Sequence, residues 1–307
     1  MVVFIIVDRA LLTISPDQER PRPVPTSVRS AQGGCRSGDL SAADYRRVSE
    51  ILQRERQFSL AAYKEPYVRR RLAARIRATG TADLGQYLRQ LAASPEEQQA
   101  LLAALSIQVS EFFRNPSVFR ALETEVLPPL LSRLRERRQG SLRIWSCGCA
   151  GGEEAYSLAL LFRPWLWPDE KLSLLATDLN AQALARARRG RYPIARVKRV
   201  PVALAQEYLQ LREGQIQIDD RIRAMVRFFQ HDLLSDRPFS RTDLILCRNL
   251  LIYLSRKQQE QALNKLAKAL QPGGFLILGR AESLVPAGRH LFQCCDSAER
   301  IYRRLDN

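Results

Sequence analysis

Four short apolar runs in the 307-residue chain are each followed at once by residues able to bind a small molecule. Those residues occupy positions 148–154, 178, 232–233 and 248–249. In an open α/β sheet, ligands bind beyond the carboxyl ends of the strands. We therefore expect the four segments to meet at one site, where Glu154, Asp178 and Asp232 face the ligand.

The first segment lies within LRIWSCGCAGGEEAY at 142–156, which has the form of a strand, a glycine turn and a helix. Glycine permits positive φ and lets a ligand approach the backbone closely. The spacing is not GxGxxG, and Glu153 and Glu154 stand where a pyrophosphate would meet the helix N-terminus. Negative charge there favours a ligand that carries a cation and argues against a dehydrogenase.

The three carboxylates suit the parts of one cofactor. Asp178 can accept hydrogen bonds from two ribose hydroxyls, Asp232 from an adenine amino group, and Glu154 can face an α-amino group. An adenosine joined to a cationic amino acid is S-adenosylmethionine, which has no pyrophosphate. Taken singly, Asp178 is equally explained as a helix cap, and Glu153 as charge in a first turn.

An arginine and a tyrosine are the residues expected to act on the methyl acceptor. A methyl on sulfonium is transferred in line, so the enzyme mainly positions the acceptor and excludes water. An acceptor carboxylate, with a reference pKa of about 4.3, is already ionised at pH 7 and needs no strong base. Arg114 can orient such a carboxylate, unless it pairs with Glu111 or Glu123. Tyr253 can hydrogen-bond it, unless the ring merely fills a gap between helix and sheet.

Apolar periodicity divides the chain into a helical part and an α/β part. Helical spacing begins after Ser41, an expected N-cap, and continues near 61–78, 82–92 and 95–104, while no strand signal precedes residue 140. A long helix is expected at 118–137, interrupted near Pro128 and Pro129. Strands then alternate with helices, which predicts a parallel sheet, and the last two strands form an antiparallel pair. Alternation around 209–218 predicts a short hairpin.

These patterns give the expected domain limits. The proline- and glycine-rich residues up to 39 are interpreted as a disordered leader. Residues 40–105 form an all-α domain, residues 106–117 a linker that contributes to the active site, and residues 118–307 the α/β domain, with a β-hairpin insert at about 209–226. The opening MVVFIIV is much shorter than the ~20 apolar residues of a membrane span, so no membrane insertion is expected.

The net charge of +16 implies an anionic partner, such as nucleic acid, a membrane surface or an acidic protein. Five arginines fall in the helix expected at 61–78, where no acid occurs between Glu65 and Asp83. The six cysteines and two histidines do not form a metal-binding pattern. We interpret the cysteines as buried thiols in a reducing compartment.

Over about residues 40–305 the chain resembles the CheR-type methyltransferases of bacterial chemotaxis. The resemblance rests on YKEPYVRRRLAARIRATG, SIQVSEFFRNPSVF, LRIWSCGCAGGEEAYSLA, LLATDLNAQALARARRGRYP, DLILCRNLLIYL and LQPGGFLILGRAESL, which occur in the family's order. It implies a Rossmann-like, mostly parallel seven-stranded sheet, a small N-terminal all-α domain and a short β-hairpin subdomain.

The resemblance also implies a cytoplasmic enzyme that transfers a methyl from S-adenosylmethionine to glutamates of methyl-accepting chemotaxis receptors, leaving S-adenosylhomocysteine. Arg114 and Tyr253 would hold the substrate glutamate. The implied cofactor contacts are Gln108, Ser110, Arg114, Glu154, Asp178, Asp232, Leu233, Arg248 and Asn249. The implied contacts to the receptor's cytoplasmic region are Arg69, Arg70, Arg71, Arg75 and Arg77.

The chain departs from the family pattern at three places. Gln108 and Ser110 replace the frequent Asn and Thr and can still hydrogen-bond, and Asp232 replaces a frequent Asn. The hairpin turn at 212–217 is shorter than in members that grip a receptor's C-terminal tail peptide. We therefore expect methylation without such tethering.

Two other functions remain open at this point. The arginine-rich helix would suit a nucleic-acid methyltransferase, but amino-methylating enzymes of that class carry a D/N-P-P-Y/F segment where this chain has CRNLLIY. Specific nucleic-acid binding is therefore not expected. The second alternative is a CheR-like methyltransferase, or a binding module without catalysis, in another sensory pathway. A loss of catalytic activity is not expected, because the chain retains Arg114, Asn249 and Tyr253.

Overall fold

The computed structural model describes residues 40–56, 58–81, 83–105, 110–137 and 140–305. The leader expected at 1–39 and the predicted contact Gln108 lie outside these residues. Within the described ranges, no helix is both long and apolar enough to cross a membrane.

In the part of the chain that the structure describes, four helices form the N-terminal part: α1 (Ala42–Arg56), α2 (Glu65–Thr79), α3 (Leu84–Ala93) and α4 (Pro95–Leu105). The Ser41 hydroxyl caps α1 as predicted, accepting from the Asp44 backbone N–H at 3.1 Å. Gly80 ends α2 with a left-handed φ of 68°. The apolar faces of the helices meet in one core, in which Leu52 and Leu72 are fully buried.

Helix α2 begins at Glu65, not at residue 61 as expected. The preceding residues Leu60–Ala62 form a single 3₁₀ turn, and Tyr63 then makes an isolated antiparallel bridge to Leu254. Beside it, the Lys64 N–H donates to the Tyr253 carbonyl at 2.8 Å. This strand-like contact joins the helical part to the α/β part. Helical periodicity could not reveal it, because the partner lies far away in the sequence.

Within the described residues, the second part contains ten strands in two sheets. In chain order they are β1 (Ser141–Cys147), β2 (Lys171–Asp178), β3 (Arg191–Pro193), β4 (Leu209–Arg212), β5 (Gln215–Ile218), β6 (Val226–Gln230), β7 (Thr242–Cys247), β8 (Leu270–Leu278), β9 (Phe292–Asp296) and β10 (Ile301–Arg304). The main sheet has the order β6-β2-β1-β7-β8-β10-β9. Its first five members are parallel, and β10 is antiparallel to both neighbours. The predicted mostly parallel seven-stranded sheet is confirmed.

The smaller sheet has the order β3-β5-β4 and contains the predicted hairpin. Glu213 and Gly214 both have positive φ, 50° and 72°, as a two-residue type I′ turn requires. The third strand, β3, was not predicted, because three residues ending in Pro193 give no alternating pattern.

Within the described residues, the helices of the second part are α5 (Pro116–Ala121), α6 (Leu127–Glu136), α7 (Glu153–Phe162), α8 (Ala181–Arg189), α9 (Val202–Tyr208), α10 (Asp220–Arg223) and α11 (Arg256–Ala269). Helices α6, α7, α8 and α11 pack against strands of the main sheet, and α9 packs against β4 of the smaller sheet. The long helix expected at 118–137 is divided by a π-helical turn, Leu122–Val126. The interruption thus precedes Pro128 and Pro129. Proline has no backbone N–H, so the carbonyls one turn earlier lose their regular partners.

The cysteines differ in exposure, contrary to the expectation of uniformly buried thiols. Cys147, Cys149 and Cys247 are buried at strand ends near the centre of the main sheet, whereas Cys294 and Cys295 are exposed on β9. The edge position of β9 explains the difference, since no strand covers its outer side.

Candidate functional site

A cavity of about 340 Å³ lies at the carboxyl ends of β1, β2 and β7, between the main sheet and the helical part. Every predicted cofactor contact and catalytic residue that the structure describes lines this cavity. They are Ser110, Arg114, Glu154, Asp178, Asp232, Leu233, Arg248, Asn249 and Tyr253.

The glycine turn after β1 is fastened to the end of β2. Gly148, with φ 75°, and Cys149 donate their N–H groups to the Thr177 carbonyl at 2.8 and 2.9 Å. Gly152 has φ 90°, and a Cβ there would lie 2.8 Å from the Ala187 Cβ. Only glycine therefore lets α7 start so close to α8. On the cavity side, the turn contributes only the small residues Gly148 and Ala150.

Asp178 ends β2 and is 8% exposed. Its Oδ2 accepts from the Ala150 N–H at 2.9 Å, and its Oδ1 accepts from the Asn180 N–H at 2.8 Å. Burial raises the pKa of Asp178, and the backbone donors oppose that rise. Asp178 thus holds the glycine turn against the start of α8 while bordering the cavity.

Glu154 is held from two sides at the start of α7. Its Oε1 accepts from the Ser146 hydroxyl at 2.9 Å, and its Oε2 accepts from Arg248 Nη1 at 3.2 Å. The Arg248 side chain is 1% exposed, and that of Glu154 is 14% exposed. Since a carboxylate offers about four acceptor positions, Glu154 can still take a hydrogen bond from the cavity side.

Arg248 also holds the FFRN turn at 112–115. Its Nη2 donates to the Arg114 carbonyl and to Asn115 Oδ1, both at 2.9 Å. Phe113 and Asn115 have left-handed φ values of 49° and 60°, which are unfavourable for residues with a Cβ. The buried guanidinium therefore stabilises a strained turn that carries Arg114.

The residues before this turn are held from the side of the smaller sheet. Arg196 Nη1 donates to the Ser110 carbonyl at 3.0 Å, and Glu111 pairs with Arg199. Glu111, a possible ion-pair partner of Arg114 in the sequence analysis, therefore forms an ion pair with Arg199. Glu153, which the sequence suggested was ordinary first-turn charge, is 6% exposed, and burial raises its pKa.

Strand β6 ends at Gln230, so Asp232 lies two residues beyond the strand and not at its last position. Its Oδ1 accepts from the Leu234 N–H at 2.8 Å, and its own N–H donates to Asp236 Oδ2 at 2.8 Å. This compact turn keeps Asp232 and the nearly buried Leu233 at the cavity wall.

Glu282 is a supporting residue that sequence reasoning missed. Its buried carboxylate accepts backbone N–H groups from Asn249 at 2.8 Å, Ile252 at 3.2 Å and Gly279 at 2.6 Å. Burial raises the pKa of Glu282, and these donors oppose the rise. Asn249 has a left-handed φ of 58°, so Glu282 fixes the turn that leads to Tyr253. The available signal was the lone acid after the apolar strand in GFLILGRAESL.

Tyr253 stands where the two parts of the chain meet. Its ring centroid lies 4.7 Å from that of Tyr67 in α2, and the Tyr67 hydroxyl donates to the Leu105 carbonyl at 2.6 Å. Tyr253 is half-buried and borders the cavity. It therefore packs against the helical part and does not fill a gap between helix and sheet.

The five arginines of α2 do not form the uniform cationic face that the sequence suggested. Arg69 pairs with Glu65 at 2.6 Å, and Arg75 pairs with the buried Glu97 of α4. Arg71 lines the cavity. The remaining two, Arg70 and Arg77, are exposed.

Two protein-family models match the sequence of this chain. The CheR methyltransferase all-alpha domain matches residues 43–106, and the CheR methyltransferase SAM binding domain matches residues 108–301. The chain belongs to the CheR methyltransferase family. This CheR protein is accordingly an S-adenosylmethionine-dependent methyltransferase, as the resemblance implied.

Relatives agree with this assignment. An uncharacterized 104.1 kDa protein in the hypE 3′ region of Rhodobacter capsulatus is 35% identical over 84% of the CheR chain, which spans 27% of that protein. The chemotaxis protein methyltransferase of Listeria monocytogenes is 34% identical, with 79% of this chain and 90% of that protein covered. That of Salmonella typhimurium is 31% identical, with 80% and 85% covered.

The cavity fits the cofactor of the CheR family. The cofactor's sulfonium and ammonium groups are cationic, and the carboxylates of Glu154, Asp178 and Asp232 border the cavity. Gly148 and Ala150 of the turn line the cavity, and such small residues let a ligand approach the backbone closely. The residues present therefore suit S-adenosylmethionine.

Proposed function

We propose that this CheR chain methylates glutamate side chains of methyl-accepting chemotaxis receptors, forming glutamate methyl esters. The observation that carries the proposal is that one cavity is lined by two kinds of group. The carboxylates of Glu154, Asp178 and Asp232 border it, and Arg114 and Tyr253 border it as well. The first group suits a cationic methyl donor, and the second suits an anionic acceptor.

The cofactor supplies a methyl group on a positively charged sulfur. Asp178 would accept hydrogen bonds from the ribose hydroxyls, Asp232 and Leu233 would contact the adenine, and Glu154 would accept from the amino group. Arg248 would act mainly by holding Glu154, since its Nη1 and Nη2 groups already donate to protein acceptors. The remaining proposed contacts are Gln108, Ser110, Arg114 and Asn249.

Catalysis would come from positioning and from exclusion of water. The Arg114 guanidinium would orient the acceptor carboxylate, and the Tyr253 hydroxyl would donate a hydrogen bond to it. No proton has to be removed, because a glutamate carboxylate is ionised at neutral pH. Tyr63, Arg71 and Leu105 of the helical part line the cavity and would help to keep water from the reacting atoms.

Receptor recognition would belong to the all-α domain at 40–105. Arg70 and Arg77 are the best-placed arginines for an acidic receptor surface, because both are exposed. Residues 106–117 would form the linker that completes the active site. Residues 118–307 would form the methyltransferase domain, with the hairpin insert at about 209–226.

The proposed enzyme works in the cytoplasm and needs no tether to the receptor tail. The β4–β5 turn has only Glu213 and Gly214 between paired residues, so it offers little surface to a peptide. A calorimetric titration with a receptor C-terminal tail peptide should therefore give no heat at micromolar concentrations. Micromolar affinity would remove this part of the proposal.

The decisive experiment is methyl transfer from methyl-labelled S-adenosylmethionine to membranes that contain chemoreceptors. Base-labile label on receptor glutamates is the expected result. Parallel reactions with DNA and RNA test the nucleic-acid alternative. Label on nucleic acid would replace the proposal, and no label on any receptor would favour a CheR-like module of another sensory pathway.

A further inference from the structure

Arg71 occupies a different environment from the other arginines of α2. It lines the active-site cavity, whereas Arg69, Arg70, Arg75 and Arg77 do not. Its Cζ lies 5.6 Å from the centroid of the Tyr67 ring, and that ring packs 4.7 Å from Tyr253. The helical part thus brings one cation to the same end of the cavity as Tyr253.

The guanidinium of Arg71 is only partly satisfied by the protein. Its Nε is buried and makes no hydrogen bond to any group in the described part of the chain. No carboxylate among those residues lies within ion-pair distance of Arg71, in contrast to Arg69 and Arg75. A buried donor without an acceptor is unfavourable, so a ligand that supplies one would be bound preferentially.

The cavity's own carboxylates are already engaged. Glu154 accepts from Arg248, Glu111 pairs with Arg199, and Asp178 accepts from two backbone N–H groups. An arriving carboxylate would therefore find Arg71 open to it without displacing a protein acid. A planar guanidinium matches a carboxylate through two parallel hydrogen bonds, which a neutral amide cannot reproduce.

We propose that Arg71 binds the carboxylate of the substrate glutamate inside the cavity, together with Arg114 and Tyr253, and so selects glutamate over glutamine. This inference rests on the proposed receptor-glutamate activity. It moves Arg71 from the receptor-facing surface into the active site. The remaining arginines of α2 then act only on receptor association.

The test compares Arg71→Gln with Arg77→Gln, a matched change at an exposed position of the same helix. With labelled S-adenosylmethionine and receptor membranes, Arg71→Gln should lower kcat by about a hundredfold, the scale of a misplaced acceptor. Affinity for S-adenosylhomocysteine should stay within about twofold of wild type. Arg77→Gln should act on KM alone, and added salt should remove the difference from wild type because an exposed charge is screened.

A second readout measures selectivity directly. Receptor fragments with Gln or Glu at the methylation sites are added as competitors to the labelling reaction. For the wild-type enzyme, the Gln fragments should inhibit receptor labelling less than the Glu fragments do. For Arg71→Gln, the two kinds of fragment should inhibit equally. Arg71→Lys, which keeps the charge, should recover part of the turnover and serves if the glutamine variant does not fold. If both Arg71 variants behave like Arg77→Gln, the inference is wrong. If wild type does not methylate receptor glutamate at all, the proposed function itself fails first.

Discussion

The Arg248 guanidinium links Glu154 to Arg114: Nη1 donates to the Glu154 carboxylate at 3.2 Å and Nη2 to the Arg114 carbonyl at 2.9 Å. One buried cation therefore holds both the start of α7 and the FFRN turn at 112–115. These two segments cannot shift independently while these bonds persist.

Removing this cation should destabilise the fold. We expect Arg248→Met to lower the free energy of unfolding by about 3 kcal/mol, because Glu154 would keep a partly buried charge without its partner. Urea unfolding measures the effect, and Arg256→Met on the exposed side of α11 is the control. Combining Arg248→Met with Glu154→Gln should cost less than the sum of the single changes. A loss below about 0.5 kcal/mol for Arg248→Met would contradict the coupling.

Arg114 and Tyr253 should matter for turnover more than for folding. Arg114→Ala should lower kcat by about a hundredfold, since the acceptor carboxylate would lose its orientation. Tyr253→Phe removes only the hydroxyl and should cost about tenfold. Arg120→Ala, at an exposed position of α5, is the control. Label incorporation gives the rates and circular dichroism the fold; near-normal rates for Arg114→Ala would exclude its proposed role.

Glu282 should support the cofactor site without touching it. In Glu282→Gln the amide NH₂ cannot accept, so at least one of three backbone N–H groups loses its acceptor, at a cost of about 1–3 kcal/mol. We expect weaker binding of S-adenosylhomocysteine, because the turn at Asn249 would loosen. Calorimetry measures the affinity, with Glu260→Gln on α11 as an exposed control. Equal affinity in both variants would show that the turn holds without Glu282.

Asp178 should give stability a specific pH dependence. Its pKa is higher in the folded chain than in the unfolded chain, where it is about 3.9. At a pH between the unfolded and the folded pKa, the carboxyl therefore takes up a proton when the chain folds. Its contribution to stability is full below about pH 4 and is lost as pH rises through the folded pKa. Wild type should therefore lose stability relative to Asp178→Asn as pH is raised. Urea unfolding from about pH 4 to about pH 7 measures this, and a constant difference would contradict the raised pKa.

The parts of the site that arise from local patterns were predictable from sequence. The strand, glycine turn and helix at 142–156 form as expected. Asn180, which directly precedes α8, caps it by accepting from the N–H groups of Gln182 at 3.0 Å and Ala183 at 3.1 Å. Such features depend on a few neighbouring residues, so spacing alone reports them.

The supporting contacts were not predictable, because they join segments that are remote in sequence. Glu97 neutralises Arg75 across 22 residues, and Glu282 holds the Asn249 N–H across 33 residues. Periodicity within one helix or strand says which face is buried, but not which distant acid meets it. The arginines of α2 therefore resembled one exposed cationic face until the packing of α4 was known.

The bridge between Tyr63 and Leu254 limits how this protein can be recombined with its relatives. Because the main chain of the helical part pairs with Tyr253 and Leu254, residues 40–105 cannot simply be exchanged for the matching segment of a relative. A hybrid that takes its helices from one relative and its sheet from another would keep a working reaction centre only if both sides of this bridge came from the same parent.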